Sequence, residues 1–404
     1  MSGGHLEDRI MAEGNAAQEA SAVELLEGLI RRAIADGASD IHIEPFEAST
    51  AVRMRIDGVI LPYTRLPRNA HQPLISRIKV MSNLDITERR LPQDGHFRVR
   101  QGDGREAAVN IRVSLLPTVF GEKAVLRLLT SASGVDYAGQ FGMDGESYRR
   151  FLPTLDFPSG LIYLTGPTGS GKTTTLYMIL EYLVRRQVNI MTVEDPVEKN
   201  IPGVNQMQVA PSIGVNFGNG LRAVLRQDPD IIMVGETRDT ETAQISVRAA
   251  ITGHLVLSTL HTNDAVSGIA RLTDMGADRF LVASSLVCLT AQRLVRKTCP
   301  YCAQEVPATE EERRLLGGGI VRIRRGAGCA RCGGTGYKGR VAVYEILPAD
   351  QNIRSMIARG ARAAEIETYA REERGMRLLR EKGLELVGQG VTTPEEMLRC
   401  CYGF

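Results

Sequence analysis

The chain has 404 residues, 43% of them apolar, and its 49 Lys and Arg against 47 Asp and Glu give a formal net charge of +2. That length predicts two or three domains with ample core, and the near-neutral balance excludes a general electrostatic pull toward nucleic acid or anionic lipid. The opening stretch MSGGHLEDRIMAEGNAAQEA lacks the apolar core of a secretory signal, and no apolar run of about 18 residues, long enough to cross a bilayer, occurs anywhere.

These features predict a cytosolic protein that meets a membrane only through a partner. Seven cysteines in a reducing compartment argue against a disulfide framework.

Residues 1–20 read as a flexible tail. Ser21-Ala-Val-Glu24 is a capping-box pattern, after which Val23, Leu26, Leu29, Ile30, Ala33 and Ile34 recur at helical spacing until Gly37 ends the run. The period then drops to two. Val52 to Ile56 and Val59 to Tyr63 alternate across Asp57-Gly58, a strong hairpin signal, and a second pair, His96 to Arg100 and Glu106 to Ser114, brackets Gln101 to Gly104. Residues 21–130 therefore read as a small α+β domain. Its strands carry Arg53, Arg55, Arg98, Arg100, Arg112 and Arg127 on their polar faces. Such a set is either a solvated basic face or a source of arginine fingers for a nucleotide. Residues 131–145, rich in glycine and serine, read as a linker.

The chemistry concentrates beyond this linker. Leu161 to Thr165 is an apolar strand, Thr174 to Val184 a helix, and between them lies GPTGSGKTT, Gly166 to Thr174. Strand, glycine loop and helix form the context of a phosphate-binding loop. Gly166, Gly169 and Gly171 let the loop curl and aim successive backbone N–H groups inward, so that Gly166, Pro167, Thr168, Gly169, Ser170, Gly171, Lys172, Thr173 and Thr174 are the candidate ATP-binding residues. Lys172 supplies a point charge for the β and γ phosphates of ATP, and Thr173 a hydroxyl for Mg²⁺.

Three more strands come at Asn189 to Val193, Ile231 to Val234 and Leu255 to Thr259. Ligands of an open parallel sheet sit beyond the carboxyl ends of its strands. Glu194, Glu198, Glu236, His254 and His261 flank these strands and are expected around the phosphates. Glu236 is the candidate for the Mg²⁺ shell or the attacking water, with Glu194 the second candidate for the water. His254 and His261 suggest a sensor of the γ-phosphate. Residues 146–290 thus read as an ATP-hydrolysing core.

Cys299-Pro-Tyr-Cys302 and Cys329-Ala-Arg-Cys332 are two C-x-x-C units with 26 residues between them. Four thiolates suit a closed tetrahedral Zn²⁺ site with a folding role, a redox pair being the alternative. Residues 291–340 are read as this tetracysteine element, with Ala303 to Gly328 looped out as a docking finger. Cys288, Cys400 and Cys401 fit no pattern. Residues 341–404 read as a mostly helical region: a strand at Val341 to Ile346, helices over Asn352 to Ala370 and Met376 to Val387, and a further one from Thr393.

With SDIHIEP (Ser39 to Pro45), RMRIDG (Arg53 to Gly58), GPTGSGKTTTLY, VEDPVE (Val193 to Glu198), LRQDPDIIMVGETRD (Leu225 to Asp239), TGHLVLSTLHTNDA (Thr252 to Ala265) and both C-x-x-C units in order, the chain strongly resembles the secretion ATPase superfamily. Its GspE/PilB-like branch, which serves type II secretion and type IV pilus assembly, is the nearest pattern over residues 21–404. The resemblance implies an α/β protein with an N-terminal α+β domain linked to a RecA-like P-loop domain, assembled as a homohexamer. It implies VEDPVE as the Asp box, VGETRD as Walker B and the His254 to His261 segment as the His box. It also implies that Arg112 and Arg127 point at the phosphates. The implied partners are an inner-membrane platform protein and a membrane-anchored adaptor, with no direct nucleic-acid binding and a cytoplasmic, peripheral location. Members commonly carry a further N-terminal domain that docks on a membrane-bound partner. Residues 1–20 alone precede the first predicted helix here, a departure from that pattern. A conjugation-type nucleic-acid translocase and a non-catalytic nucleotide-binding scaffold are the competing readings.

Overall fold

The computed structural model describes residues 21–100, 108–129, 140–317, 319 and 321–401. The expected tail at 1–20, the Gln101 to Gly104 turn and most of the 131–145 linker lie outside the described residues. The chain divides into two units, residues 1–135 and 136–404. Among the described residues no helix is long and apolar enough to cross a membrane.

The first unit is one antiparallel sheet with two helices on its apolar face. Helix Ala22–Ala35 starts on the predicted capping box: the Ser21 hydroxyl accepts from the Glu24 N–H, and the Glu24 carboxylate accepts from the Ser21 N–H at 3.0 Å. Strands β1 (Ala38–Pro45), β2 (Ser49–Ile56), β3 (Val59–Pro67), β4 (Gln93–Arg100), β5 (Ala108–Thr118) and β6 (Gly121–Leu129) order as β3-β2-β1-β6-β5-β4. Asp57 and Gly58 both adopt positive φ, 48° and 83°, as the two-residue hairpin between β2 and β3 requires. Leu26, Ile30, Ile41, Ile43, Met54, Ile111 and Leu126 close the core.

The second unit is built on a seven-stranded sheet. β7 (Gly160–Thr165), β8 (Ile190–Glu194), β9 (Val204–Gln208), β10 (Ile231–Val234), β11 (Leu255–Leu260), β12 (Leu286–Thr298) and β15 (Tyr337–Pro348) order as β15-β12-β7-β11-β10-β8-β9. All neighbours run parallel except β15, which lies antiparallel to β12 along its length. β7, β10 and β11 are buried from end to end, which is why they read as continuous apolar runs.

Three boundaries differ from the sequence reading. Residues 291–298 belong to β12, so the tetracysteine element begins at Cys299. Residues 337–348 form a full strand of the main sheet rather than a short strand in a helical region. The helix expected over Asn352 to Ala370 is two, Gln351–Arg359 and Ala363–Glu372, because Gly360 takes φ 75° and ends the first. Between the cysteine pairs, β13 (Ala303–Pro307) and β14 (Arg322–Gly326) pair as a two-stranded sheet around a short helix, Glu310–Leu315.

Candidate functional site

β7 ends at Thr165 and the chain enters the glycine loop at once. Gly166, Gly169 and Gly171 take φ of 148°, 79° and 90°, and helix Lys172–Leu183 starts on the last of them. At Gly166 the need for glycine is also steric: a Cβ there would stand 2.5 Å from the Gln292 carbonyl oxygen. Within this curl the Lys172 ammonium donates to the carbonyls of Gly166, at 2.7 Å, and Pro167, at 3.1 Å. Burial pulls its pKa down to about 8, Arg293 pulls the same way, and Glu236 opposes them. Two neighbouring cations thus share one nearby carboxylate. The Ser170 hydroxyl is buried without a hydrogen-bond partner. A loop holding excess buried positive charge and an unsatisfied donor fits a polyphosphate, which supplies both missing complements.

The carboxyl ends of β10 and β11 bring Glu236 and His261 together. Glu236 is ion-paired with Arg238, Nε at 2.7 Å, and lies 3.9 Å from His261 Nε2. Burial first, then the charges of Lys172, Arg238 and Arg271, lower the His261 pKa, which keeps the imidazole neutral near pH 7. The turn after His261 is tied back to β7: the Thr262 N–H donates to Thr165 Oγ1 at 2.8 Å, and the two threonine hydroxyls are 2.6 Å apart.

Glu194, at the end of β8, is almost fully buried. It accepts from Thr192 Oγ1 at 2.6 Å, from Gln206 Nε2 at 3.0 Å and from the Tyr177 hydroxyl, which in turn accepts the Glu198 N–H at 2.9 Å. Burial and the Glu194 carboxylate push the Tyr177 phenol well above its ordinary range. Glu194 is therefore saturated by its own domain, while Glu236 is half open.

His254 is not at this end of the sheet. It precedes β11, its Nδ1 lies 2.9 Å from the Ala249 carbonyl, and its own carbonyl accepts from the first residue of β7, Gly160. β11 and β7 run parallel in the register Leu255 to Gly160 and Leu260 to Thr165, so the strand's length separates His254 from the loop. The expectation that both histidines meet the phosphates is corrected for His254.

In the first unit Arg127 and Arg112 stand on the charged face as expected, and Arg127 Nε donates to Asp40 at 2.8 Å. Arg53 makes a bidentate pair with Glu44 at 2.6 and 2.8 Å.

The four cysteines converge. Sγ separations are 4.0 Å for Cys299 and Cys329, 3.9 Å for Cys302 and Cys332, and 3.7 Å for Cys329 and Cys332, with all four ligand atoms within 4.8 Å of one another. Zn–S bonds of about 2.3 Å set tetrahedral edges of about 3.8 Å, so the cluster fits zinc. Burial works against ionising Cys332, but the N–H groups of Cys329, at 3.2 Å, and Gly336, at 3.3 Å, outweigh it and hold the thiol at about 7.

Sequence reasoning missed Tyr177, Gln206 and Arg293. Tyr177 sits among Leu176, Ile179 and Leu180 and reads as core. Arg293 did leave a signal, as a polar pair with Gln292 inside the apolar run Leu289 to Val295.

A model of the family Type II/IV secretion system protein matches residues 15–399. The chain is 48% identical over 385 residues to a type IV pilus assembly ATPase PilB of Thermus thermophilus, covering 94% of this chain and 43% of that protein. It is 46% identical to the Myxococcus xanthus PilB, covering 95% and 68%, and 46% identical to the type II secretion system protein E of Pseudomonas aeruginosa, covering 94% and 76%. The chain thus spans less than half of the Thermus relative's length. Its fold matches the crystal structure of the pilus retraction motor PilT with bound ADP at a TM-score of 0.62 and 27% identity, over 92% of this chain and 95% of that one. The Legionella pneumophila ATPase DotB matches at 0.66 with 21% identity over 92% and 94%, a likeness of fold.

Proposed function

The chain belongs to the Type II/IV secretion system protein family, and from that premise we propose that it is an ATPase motor, working as a homohexamer, that powers assembly of a pilus or pseudopilus. The observation that carries this is the Lys172 ammonium, buried on a left-handed glycine loop beside Glu236 and His261. Such a constellation has one evident purpose, the binding and cleavage of a nucleoside triphosphate.

On binding, Lys172 exchanges its two loop carbonyls for β- and γ-phosphate oxygens. The Thr173 hydroxyl and Glu236 would hold a Mg²⁺ ion, which would neutralise charge on those oxygens. Glu236, the half-open carboxylate, orients the attacking water. His261, its pKa lowered by burial and the neighbouring cations, offers a hydrogen bond that differs between a triphosphate and a diphosphate. Tyr177, Thr192 and Gln206 fix Glu194 behind this front. Arg112 and Arg127 supply charge to the transition state, and a ring is the arrangement in which they do so across subunits, since an arginine finger is worth about 10³–10⁵ in rate. Cys299, Cys302, Cys329 and Cys332 hold a structural Zn²⁺. The partners are an inner-membrane platform protein and a membrane-anchored adaptor, which place the motor at the cytoplasmic face of the inner membrane.

The test is steady-state ATP hydrolysis by the wild type and by Lys172→Ala, with affinity capture of membrane partners by the latter. Turnover that depends on Lys172, together with capture of platform proteins, supports the reading. Stimulation by single-stranded DNA without such capture would replace it with a translocase, and absence of turnover with those partners supplied would leave a scaffold.

A further inference from the structure

The turn from Leu260 to Ala265, which carries His261, is fastened at three points, and two of the fasteners are buried ionisable side chains. Arg293 on β12 is 8% exposed; its Nη2 donates to the Asn263 carbonyl at 2.6 Å and its Nη1 to the Gln292 carbonyl at 3.1 Å. A Cβ on Gly166 would lie 3.1 Å from that same Nη1, so the guanidinium is wedged between the first residue of the phosphate loop and the His261 turn. Glu345 on β15 is 2% exposed; its Oε1 accepts from the Ala265 N–H at 2.9 Å and its Oε2 from the Leu379 N–H at 3.2 Å, the start of helix Leu379–Gly388.

β12 and β15 pair with Ala291 opposite Glu345 and Arg293 opposite Val343. Period two therefore puts Arg293 and Glu345 on one face as diagonal neighbours. Burial raises the Glu345 carboxyl to about 7, and it does not form an ion pair with its cationic diagonal neighbour. Instead each makes one hydrogen bond to the backbone of the same turn, the arginine to the Asn263 carbonyl and the glutamate to the Ala265 amide two residues later. The two arms of the guanidinium lie in one rigid plane, so the carbonyls of Gln292 and Asn263 are held at a fixed spacing. The third fastener, Thr165 with Thr262, joins the turn to the strand that feeds the phosphate loop.

The geometry points to Arg293 and Glu345 as positioning residues that carry the state of the phosphate loop to the His261 turn and on to helix Leu379–Gly388. Arg293 is the input: bound phosphate charge beneath Gly166 and Lys172 acts on the guanidinium, whose other arm holds Asn263. Glu345 is the output: any shift of the Ala265 amide is felt at the Leu379 amide through one carboxylate. This rests on the ATPase reading of the loop, which assigns neither residue a role.

The test is amide hydrogen exchange on the full chain with and without Mg²⁺–ADP, in the wild type, Arg293→Gln, Arg293→Lys and Glu345→Gln. In the wild type ADP slows exchange in residues 166–173, in 261–266 and at the start of helix Leu379–Gly388. In Arg293→Gln, and in Arg293→Lys should the first fail to fold, ADP still protects 166–173 but no longer 261–266. In Glu345→Gln protection reaches 261–266 and stops before Leu379. At nucleotide concentrations that saturate each variant, kcat for ATP falls, by ~10²-fold for Arg293→Gln as expected of a misplaced reacting group. Persistent protection of 261–266 in both Arg293 variants overturns the inference. Absence of ADP protection at 166–173 in the wild type instead removes the nucleotide reading beneath it.

Discussion

Arg112 on β5 lies directly opposite Arg127 on β6, and on the far side of Arg127 stands Asp40 of β1, which accepts its Nε–H at 2.8 Å. Like charges facing each other across a ladder are unfavourable, and Arg127, half-exposed, pairs with the buried Asp40 carboxylate. Asp40 keeps Ser39 and Arg55 as partners when Arg127 is removed. Arg112→Ala and Arg127→Ala are expected to melt near the wild-type temperature yet lose about 10³–10⁵ in ATP turnover. Wild-type turnover in either variant would remove that arginine from the catalytic set.

Lys172 sets a pH limit on nucleotide binding. Burial, with Arg293 adding to it and Glu236 opposing, leaves its pKa at about 8 in the free protein. Bound phosphates raise it. Below that value the group is protonated in both states and its titration does not affect affinity. Above it the free lysine is neutral and must regain a proton on binding, so the ADP affinity falls by up to about tenfold per pH unit. Fluorescent ADP titrations from pH ~7 to ~9.5 check this, with Lys172→Arg as the control that shifts the break upward. A flat profile would show that the loop lysine is not the group in contact with the phosphates.

Glu236 and Glu194 separate by what each loses on conversion to an amide. Glu236 is a half-open carboxylate with Arg238 and His261 around it. Glu236→Gln is expected to keep ADP binding and thermal stability while turnover falls by about 10²–10⁴. Glu194 accepts from Thr192, Tyr177 and Gln206 in a buried pocket. An amide NH₂ placed among three donors cannot satisfy them, so Glu194→Gln is expected to cost about 1–3 kcal/mol of stability. Chemical denaturation of both variants distinguishes them; a melting loss in Glu236→Gln alone would reverse the assignment.

How much of this was legible depended on the range over which each feature is encoded. The phosphate loop writes its geometry locally, because three left-handed glycines, a lysine and a threonine within eight residues leave few other structures available. The capping box at Ser21 and the Asp57-Gly58 hairpin were readable for the same reason. His254 misled because it shares a segment with His261, although preceding β11 already placed it at the amino end, away from any ligand of a parallel sheet. Arg293 and Tyr177 were hidden because their roles exist only once β12 lies beside β7 and the helix packs on β8. β15 was underestimated since its partner, β12, is about 50 residues earlier, and no local signal announces an antiparallel edge on a parallel sheet.

The tetracysteine element offers the sharpest separation of metal from fold. Between Cys299 and Gly336 the described residues supply only Ala308, Ile323 and two of the cysteines to the core, too few for a two-stranded sheet to stand alone. The strands beneath it need no metal: β12 pairs with β15 over its length, and Arg296 is locked to the buried Glu396 at 2.8 Å and stacked 4.1 Å from the Tyr337 ring centroid. Purified protein is expected to carry about one zinc per chain, lost on chelation or in Cys299→Ser and Cys332→Ser. Loss should open residues 299–336 to amide exchange and to trypsin at Arg322, Arg324 and Arg331, while Leu286 to Val295 stays protected. A single serine removes one of the four ligands, so it should act on the whole element. Metal-free protein that keeps 299–336 protected would mean the cysteines hold the element without zinc.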